Sequence, residues 1–382
     1  MLFQRTKLKF DWALLSTIIL IPIIGLIVLY SSGYDSESAG WSTNWLPFVI
    51  KSKPFLKQLT FLSLGILAIL LVISIPSHLY HRYSYLIYFV FLLILLGLLI
   101  FGYVSHGSRR WFTLGSLRFQ PSEVMKIALI LAMARFLSSH PPKDNSYSFK
   151  ELMLPVAVTI IPMVLIIQQP DLGTALTVGF IGISMILYVG VKLKTFLITS
   201  IGSLLSLVPL WLFVLRPYQQ RRVLSLLNPD SDPLGSGYHI IQSKIAVGSG
   251  KLFGKGYFQG TQTQLEFLPE HTTDFVFSVL AEEWGFFGSV LVLSLYFFLI
   301  YRILRISLKS KDLFSALVYF GISMLIFFHV FVNIGMVIGI LPVVGLPLPL
   351  FSYGGSSLMV NLAALGIVLG MDMRRLIFAG NR

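Results

Sequence analysis

Ten apolar stretches, most of them long enough to cross a bilayer as helix, constrain this chain more than any other feature. They run over about 12–31, 59–76, 84–104, 120–138, 152–168, 173–191, 195–215, 275–301, 314–340 and 356–371. Hydrocarbon offers a backbone no hydrogen-bond partner, so stretches this apolar predict helices that satisfy their own N–H and C=O groups. Of the residues 55% are hydrophobic and only 12% charged, against about a quarter in a soluble domain. The mean hydropathy is +0.82. The predicted fold is an all-α polytopic membrane protein with ten transmembrane helices in a single domain over 1–382. The basic opening "MLFQRTKLKFDW" resembles a signal-peptide flank, but a full span without a small-x-small cleavage site follows, so it reads as a retained first helix. "QQPDLG" makes a tight Pro/Gly turn between the fifth and sixth stretches, and 216–274 is a large loop between the seventh and eighth.

An even number of spans puts both termini on one side. With the termini inside, the inner segments hold 16 Lys and Arg, among them Arg82, Arg135, Arg302 and Arg305. The short outer loops hold 6: Lys51, Lys53, Lys57, Arg109, Arg110 and Arg118. Positive charge gathers on the cytoplasmic side of membrane proteins, so this orientation is the predicted one and the 216–274 loop is extracytoplasmic. The net charge of +13 therefore borders the inner leaflet instead of marking a nucleic-acid surface. Acids distribute the other way. Only Asp11, Asp144, Glu151, Asp312 and Asp372 lie inside, and 11 of the 16 lie at or toward the outer face. Polar groups on one face suit chemistry on a lipid-borne substrate better than transport.

The outer motifs each carry a structural and a functional reading. In "PEHTTDFVFS" (269–278), Thr272 or Thr273 can cap the eighth helix, with Asp274 favoured by its dipole. Asp274 serves equally as a cap or as a base, and Glu270 precedes it. Glu282 and Glu283 in "AEEWG" lie too deep for solvated acids, so at least one is expected to bond a neighbouring helix. In "QPSEVMKIALILAMARF", Pro121 suits a first turn, and Glu123 and Lys126 share a face at i, i+3 and can neutralise each other. The pair is a structural ion pair or a substrate holder. "SHGSRRWFTLGSLRF" sets Arg110 beside Trp111, where it meets lipid headgroups or clamps one diphosphate. "GYHIIQSKIAVGSGKLFGKG" (237–256) is neither a Walker loop nor G-x-G-x-x-G, though Lys244, Lys255 and its backbone amides can hold an anion. Tyr238, Ile241 and Ile245 there have helical spacing and suit the outer leaflet. "LPLPLFSYGGSS" (346–357) leads Ser352 and Gly354 into a helix N-terminus that is an anion site or an ordinary capped turn. There is no cysteine, and the 7 histidines show no zinc spacing. The residues alone reach an outer pocket suited to a phosphate-bearing lipid, without fixing the reaction.

The motifs "SRRWFTLGSLRFQPSEVMK", "QQPDLGTAL", "NPDSDPLGSGYHIIQSKIAVGSGKLFGKGYFQGTQTQLEFLPE", "TDFVFSVLAEEWGFFG" and "FSYGGSS" together resemble the SEDS family of shape, elongation, division and sporulation proteins, with "GTQTQLEFLPE" nearer its elongation branch. The resemblance implies a peptidoglycan glycosyltransferase of the cytoplasmic membrane that polymerises lipid II during cell elongation. It implies that Asp274 is the general base for the acceptor hydroxyl in an inverting transfer, and that Glu123 and Lys126 are functional. The leaving diphosphate then calls for a cationic patch, with Arg110, Arg221, Arg222, Lys244 and Lys255 as candidates. Glu270, Ser352 and Gly354 complete the candidate substrate site. A divalent cation, magnesium or manganese, is a possible assistant, without a clean ligand set in the sequence. The implied partners are a class B penicillin-binding protein and other membrane proteins of the elongation machinery. The chain departs from the family's P-E-x-H-T-D-F by carrying Thr272 where histidine is usual and His271 one place earlier. Two other functions stay open. A lipid II flippase requires ionisable groups through the midplane, where the chain offers chiefly Arg135, and a non-catalytic scaffold requires Asp274 to be replaceable.

Overall fold

The computed structural model describes residues 10–33, 53–101, 103–105, 108–114, 117–142, 144, 146–232, 235–265, 267–268 and 270–379. Among the charges used for orientation, Arg5, Lys7, Lys9, Lys51, Lys143 and Arg382 lie outside the described residues, as does Pro269. Among the described residues, eight helices are long and apolar enough to cross a membrane. They are α1 (Trp12–Ser32), α2 (Lys53–Ser74), α3 (Ser77–Phe101), α5 (Phe149–Gln168), α6 (Leu172–Val189), α11 (Val276–Leu308), α12 (Leu313–Val337) and α13 (Gly355–Ala379). The two other predicted stretches are also helical. Helix α4 (Pro121–Ser139) carries Glu123, Lys126 and Arg135, and α7 (Leu193–Pro209) runs into a π-helical turn, Leu210–Val214.

Helices α4 and α12 form the centre: α12 packs on α4, α6, α11 and α13, and α4 packs on α3, α5, α6 and α13 as well, while α2 packs on α13. Helices α1 and α11 are tied at both ends. Ser31 donates to Glu283 at one, and Arg302 meets Asp11 at 2.6 Å at the other, where Asp11 also caps α1 through the Leu14 amide. Helix α7 stands off from this body, with Phe196, Leu197, Ile198, Ile201, Leu204 and Leu205 all exposed.

The 103–119 segment, read from sequence as a plain loop, is a small antiparallel sheet. Strands β1 (Tyr103–Ser105), β2 (Ser108–Leu114) and β3 (Leu117–Phe119) pair in that order, with Phe112 opposite Phe119 and Thr113 opposite Arg118. Aromatic and β-branched residues in "SRRWFTL" favour such pairing. The 216–274 loop also has internal order: α8 (Pro217–Leu227), α9 (Ser236–Ser249) and the single turn α10 (Thr261–Gln264). Helix α9 exists where the Tyr238, Ile241 and Ile245 spacing predicts one. Its Ile240, Ser243 and Ala246 face is buried against α11, and Ile245 is exposed.

Helix α11 is two helices in one run. Gly285 sits at φ 67°, ψ −159°, a conformation open essentially to glycine alone, and interrupts it after a short segment from Val276. A break orphans backbone groups that a membrane protein must satisfy internally. The 250–256 loop takes them up. Lys255 N and Gly256 N donate to the Glu282 and Glu283 carbonyls at 3.0 and 3.1 Å, and the Lys251 and Leu252 carbonyls receive Phe286 N and Phe287 N at 2.9 and 3.2 Å. Contact this close needs a glycine at 254, where a Cβ would lie 2.0 Å from the Glu283 carbonyl oxygen.

Candidate active site

Asp274 lies in the turn just before α11 and does not cap it. The capping position is Phe275, which makes no side-chain bond, and Thr273 turns back to donate to Glu270 Oε2 at 2.9 Å. The capping predicted for Thr272 or Thr273 is therefore not formed. Among the described residues none donates a hydrogen bond to the Asp274 carboxylate. Loss of hydration pushes that carboxyl up to about 7; Glu270 raises it further, Arg222 lowers it, and Asp171 adds a smaller rise. An acid of that strength, bonded by no described donor, has the properties of a general base near neutrality.

The surrounding wall comes from several elements. Arg110 of β2 donates through Nε to the Gln169 carbonyl at 2.9 Å and also to the Pro170 carbonyl, fastening the sheet to the α5–α6 turn. In that turn Asp171 caps α6 at the Thr174 amide, 3.2 Å, and receives Gln120 Nε2 at 2.9 Å. Arg222 of α8 is half-buried and donates to the Val343 carbonyl at 3.2 Å, whereas Arg221 is exposed. His239, which the sequence reading passed over, stacks on Phe275 with ring centroids 5.8 Å apart. Burial lowers its pKa, opposed by Glu270, and its buried Nδ1 has no partner among the described residues.

Beneath Asp274 runs an irregular segment, 341–350, rich in proline. Four of its carbonyls are held by side chains. Arg222 takes Val343, Asn333 Nδ2 takes Leu346 at 2.7 Å, His329 Nδ1 lies 3.4 Å from Pro347, and Tyr296 takes Pro349 at 2.5 Å. Pro342, Pro347 and Pro349 bring no N–H of their own, so the burden falls on carbonyls, which donors from the helices can meet. Asn333 Nδ2 also donates to the Asp274 carbonyl at 2.8 Å.

The Glu123–Lys126 pair forms as predicted, at 2.8 Å, with both residues buried. Lys126 Nζ also lies 3.1 Å from His329 Nε2, which ties α4 to α12. His271 sits apart from this chain, with Nδ1 2.8 Å from the Leu268 carbonyl and Nε2 3.1 Å from that of Ser32.

Other predicted residues fall elsewhere. Lys255 pairs with Glu282 at 2.7 Å beside Thr261 and Thr263, and Glu283 reaches Ser31 of α1, as the depth of the two acids implied. Lys244 is exposed and lies over Gly339. Ser352 Oγ accepts the Leu348 amide at 2.8 Å, and the Gly354 amide donates to Gln58 Oε1 at 3.2 Å, so both predicted groups make bonds within the fold. Among the described residues no three His, Asp or Glu gather as metal ligands. The acids around Asp274 act on it through their fields without forming a ligand set.

The chain is similar in sequence and fold to known proteins. A family profile described as cell cycle protein, FtsW/RodA/SpoVE, matches residues 11–376. The peptidoglycan glycosyltransferase MrdB of Escherichia coli K12 is 47% identical over 277 residues, 72% of this chain and 74% of MrdB. The peptidoglycan glycosyltransferase RodA of Treponema pallidum is 33% identical, covering 96% of this chain and 98% of its own. Among solved structures, a chain from a peptidoglycan synthase complex that coordinates polymerization and crosslinking superposes with a TM-score of 0.79 at 35% identity, covering 96% of this chain and 98% of that one. Thermus thermophilus RodA superposes at 0.70 and 32% identity with the same coverage. The motifs, the fold and the comparisons agree that this chain belongs to the FtsW/RodA/SpoVE family, the SEDS proteins.

Proposed function

We propose that this protein is a peptidoglycan glycosyltransferase that polymerises lipid II on the outer face of the cytoplasmic membrane during elongation. The observation that carries the reading is Asp274: near-neutral, bonded by no described donor, and placed among Arg222, Glu270 and His239. Asp274 takes the proton from the acceptor's GlcNAc 4-hydroxyl as that oxygen attacks the donor's anomeric carbon. The anomeric C–O bond breaks, and undecaprenyl diphosphate leaves with inversion. Developing negative charge on the diphosphate calls for fixed cations nearby, and Arg222 and Arg221 of α8 are the best placed. A divalent cation remains an assistant implied by resemblance, and the described carboxylates form no ligand set for it.

In this reading the ten helices all span the membrane in one domain, with both termini in the cytoplasm and the 216–274 loop outside. The partner is a class B penicillin-binding protein within the elongation machinery, a reading supported by the similarity to a chain from a synthase complex. The test feeds lipid II to the purified complex and compares glycan polymer on a gel for the native chain and Asp274→Asn. Polymer from the native complex alone supports both reaction and base. Equal polymer from both makes Asp274 dispensable, and no polymer together with lipid II movement across vesicles supports a flippase instead.

A further inference from the structure

We propose that Asn333 of α12 is a positioning residue for the base: its amide joins the Asp274 turn to the 341–350 floor and so fixes where the carboxylate points. The proposal rests on Asp274 being that base. Asn333 is fully buried, and its Nδ2 hydrogens are both committed, to the Asp274 carbonyl at 2.8 Å and the Leu346 carbonyl at 2.7 Å. No other described side chain bonds both the turn and the floor. The floor itself passes close beneath the acid, since a Cβ on Gly345 would lie 3.4 Å from Asp274 Oδ2.

One helical turn earlier on α12, His329 supports the same floor. Lys126 can only donate, so His329 Nε2 is the acceptor and its Nδ1–H is left to point at the Pro347 carbonyl. The buried Glu123–Lys126 pair thereby reaches the floor through His329, and Asn333 carries the floor's position to Asp274. The charged groups around the carboxylate itself are Glu270 on its own turn, Arg222 on α8 and Asp171 at the start of α6, with His239 of α9 on the neighbouring Phe275.

The chain has no cysteine, so a single reporter thiol at Thr273→Cys reads the exposure of the turn. Asn333→Leu removes both donors at similar volume, Asn333→Ser is a smaller second variant, and Asn333→Gln keeps the two amide hydrogens. In the full chain with its partner, lipid II turnover by Asn333→Leu should show kcat down at least tenfold with KM within about threefold. The acid limb of its pH profile should move to lower pH as the carboxylate gains water. A water-soluble maleimide should label Thr273→Cys at least threefold faster in that background, and Asn333→Gln should recover part of kcat. A folded Leu or Ser variant with native kcat and native labelling overturns the proposal. So does a slower variant whose acid limb and labelling rate are unchanged, because that is loss of packing alone. If labelling rises while Asp274→Asn proves as active as the native chain, the base assignment is what fails, and the positioning of the turn stands.

Discussion

A carboxylate that caps a helix and one that waits for a substrate's proton differ in what they touch. Asp171 receives the Thr174 amide in the first turn of its helix and the Gln120 side-chain amide, whereas Asp274 receives neither kind of bond from the described residues. Polymerisation should therefore rise with pH through an acid limb near 7, measured as initial rate on lipid II. Arg222→Ala removes the cation that lowers this pKa and should carry the limb upward. Stability should run the opposite way. With a folded pKa of about 7 against 3.8 unperturbed, the native state holds a proton that the unfolded chain has lost between about pH 4 and 7. Stability thus falls as pH rises through that window, by at most about 4 kcal/mol and by less for a half-buried residue. Asp274→Asn should melt higher than the native chain at pH 8 and equally at pH 3.5, while turnover falls by about 10²–10⁴. The sequence made Asp274, Glu123 and Lys126 visible because charge beside hydrocarbon is conspicuous. It hid His239, His329 and Asn333, which are single polar residues with no repeat to mark them and acquire meaning only from groups distant in the chain, the Phe275 ring for His239 and carbonyls for the other two.

At the scale of elements, breaking the Glu123–Lys126 pair leaves a buried charge. Lys126→Met or Glu123→Gln should each cost about 3–5 kcal/mol, and the double variant less than the sum, read as a double-mutant cycle in denaturant. Gly285→Ala sets a side chain at φ 67° with its Cβ 2.2 Å from the Gly254 amide. It should free the 250–256 loop, detected as faster proteolysis between Lys251 and Lys255. Helix positions were legible because hydrophobic length announces them, and the ends moved by a few residues: α2 begins at Lys53 against an expected 59, and α11 ends at Leu308 against 301. The break at Gly285 was not legible, since apolar residues continue on both sides and only the close approach of the loop dictates it. The strands of 103–119 were not legible because β1 and β3 have three residues each and β2 sets Trp111 and Phe112 side by side instead of alternating.

The described residues form a packed body around α4 and α12 with one apolar helix at its margin. Helix α7 gains little from its neighbours, so its position rests on the surrounding lipid and on the π-helical turn that joins it to α8. Spin-label pairs from Leu204 of α7 to Leu317 of α12 should give a broader distance distribution than pairs within α4 and α12. That contrast was beyond a hydropathy reading, which scores a helix for apolar length and is silent on whether anything packs against it.

The interruption at Gly285 has a mechanical meaning. A continuous rod would convey every tilt of its membrane-crossing half to the acid at its head. A jointed one, braced by a loop that bonds both stubs, sets the bearing of the short segment behind Asp274 apart from that of the longer half, so the acid's footing is fixed by the loop and the floor rather than by the span.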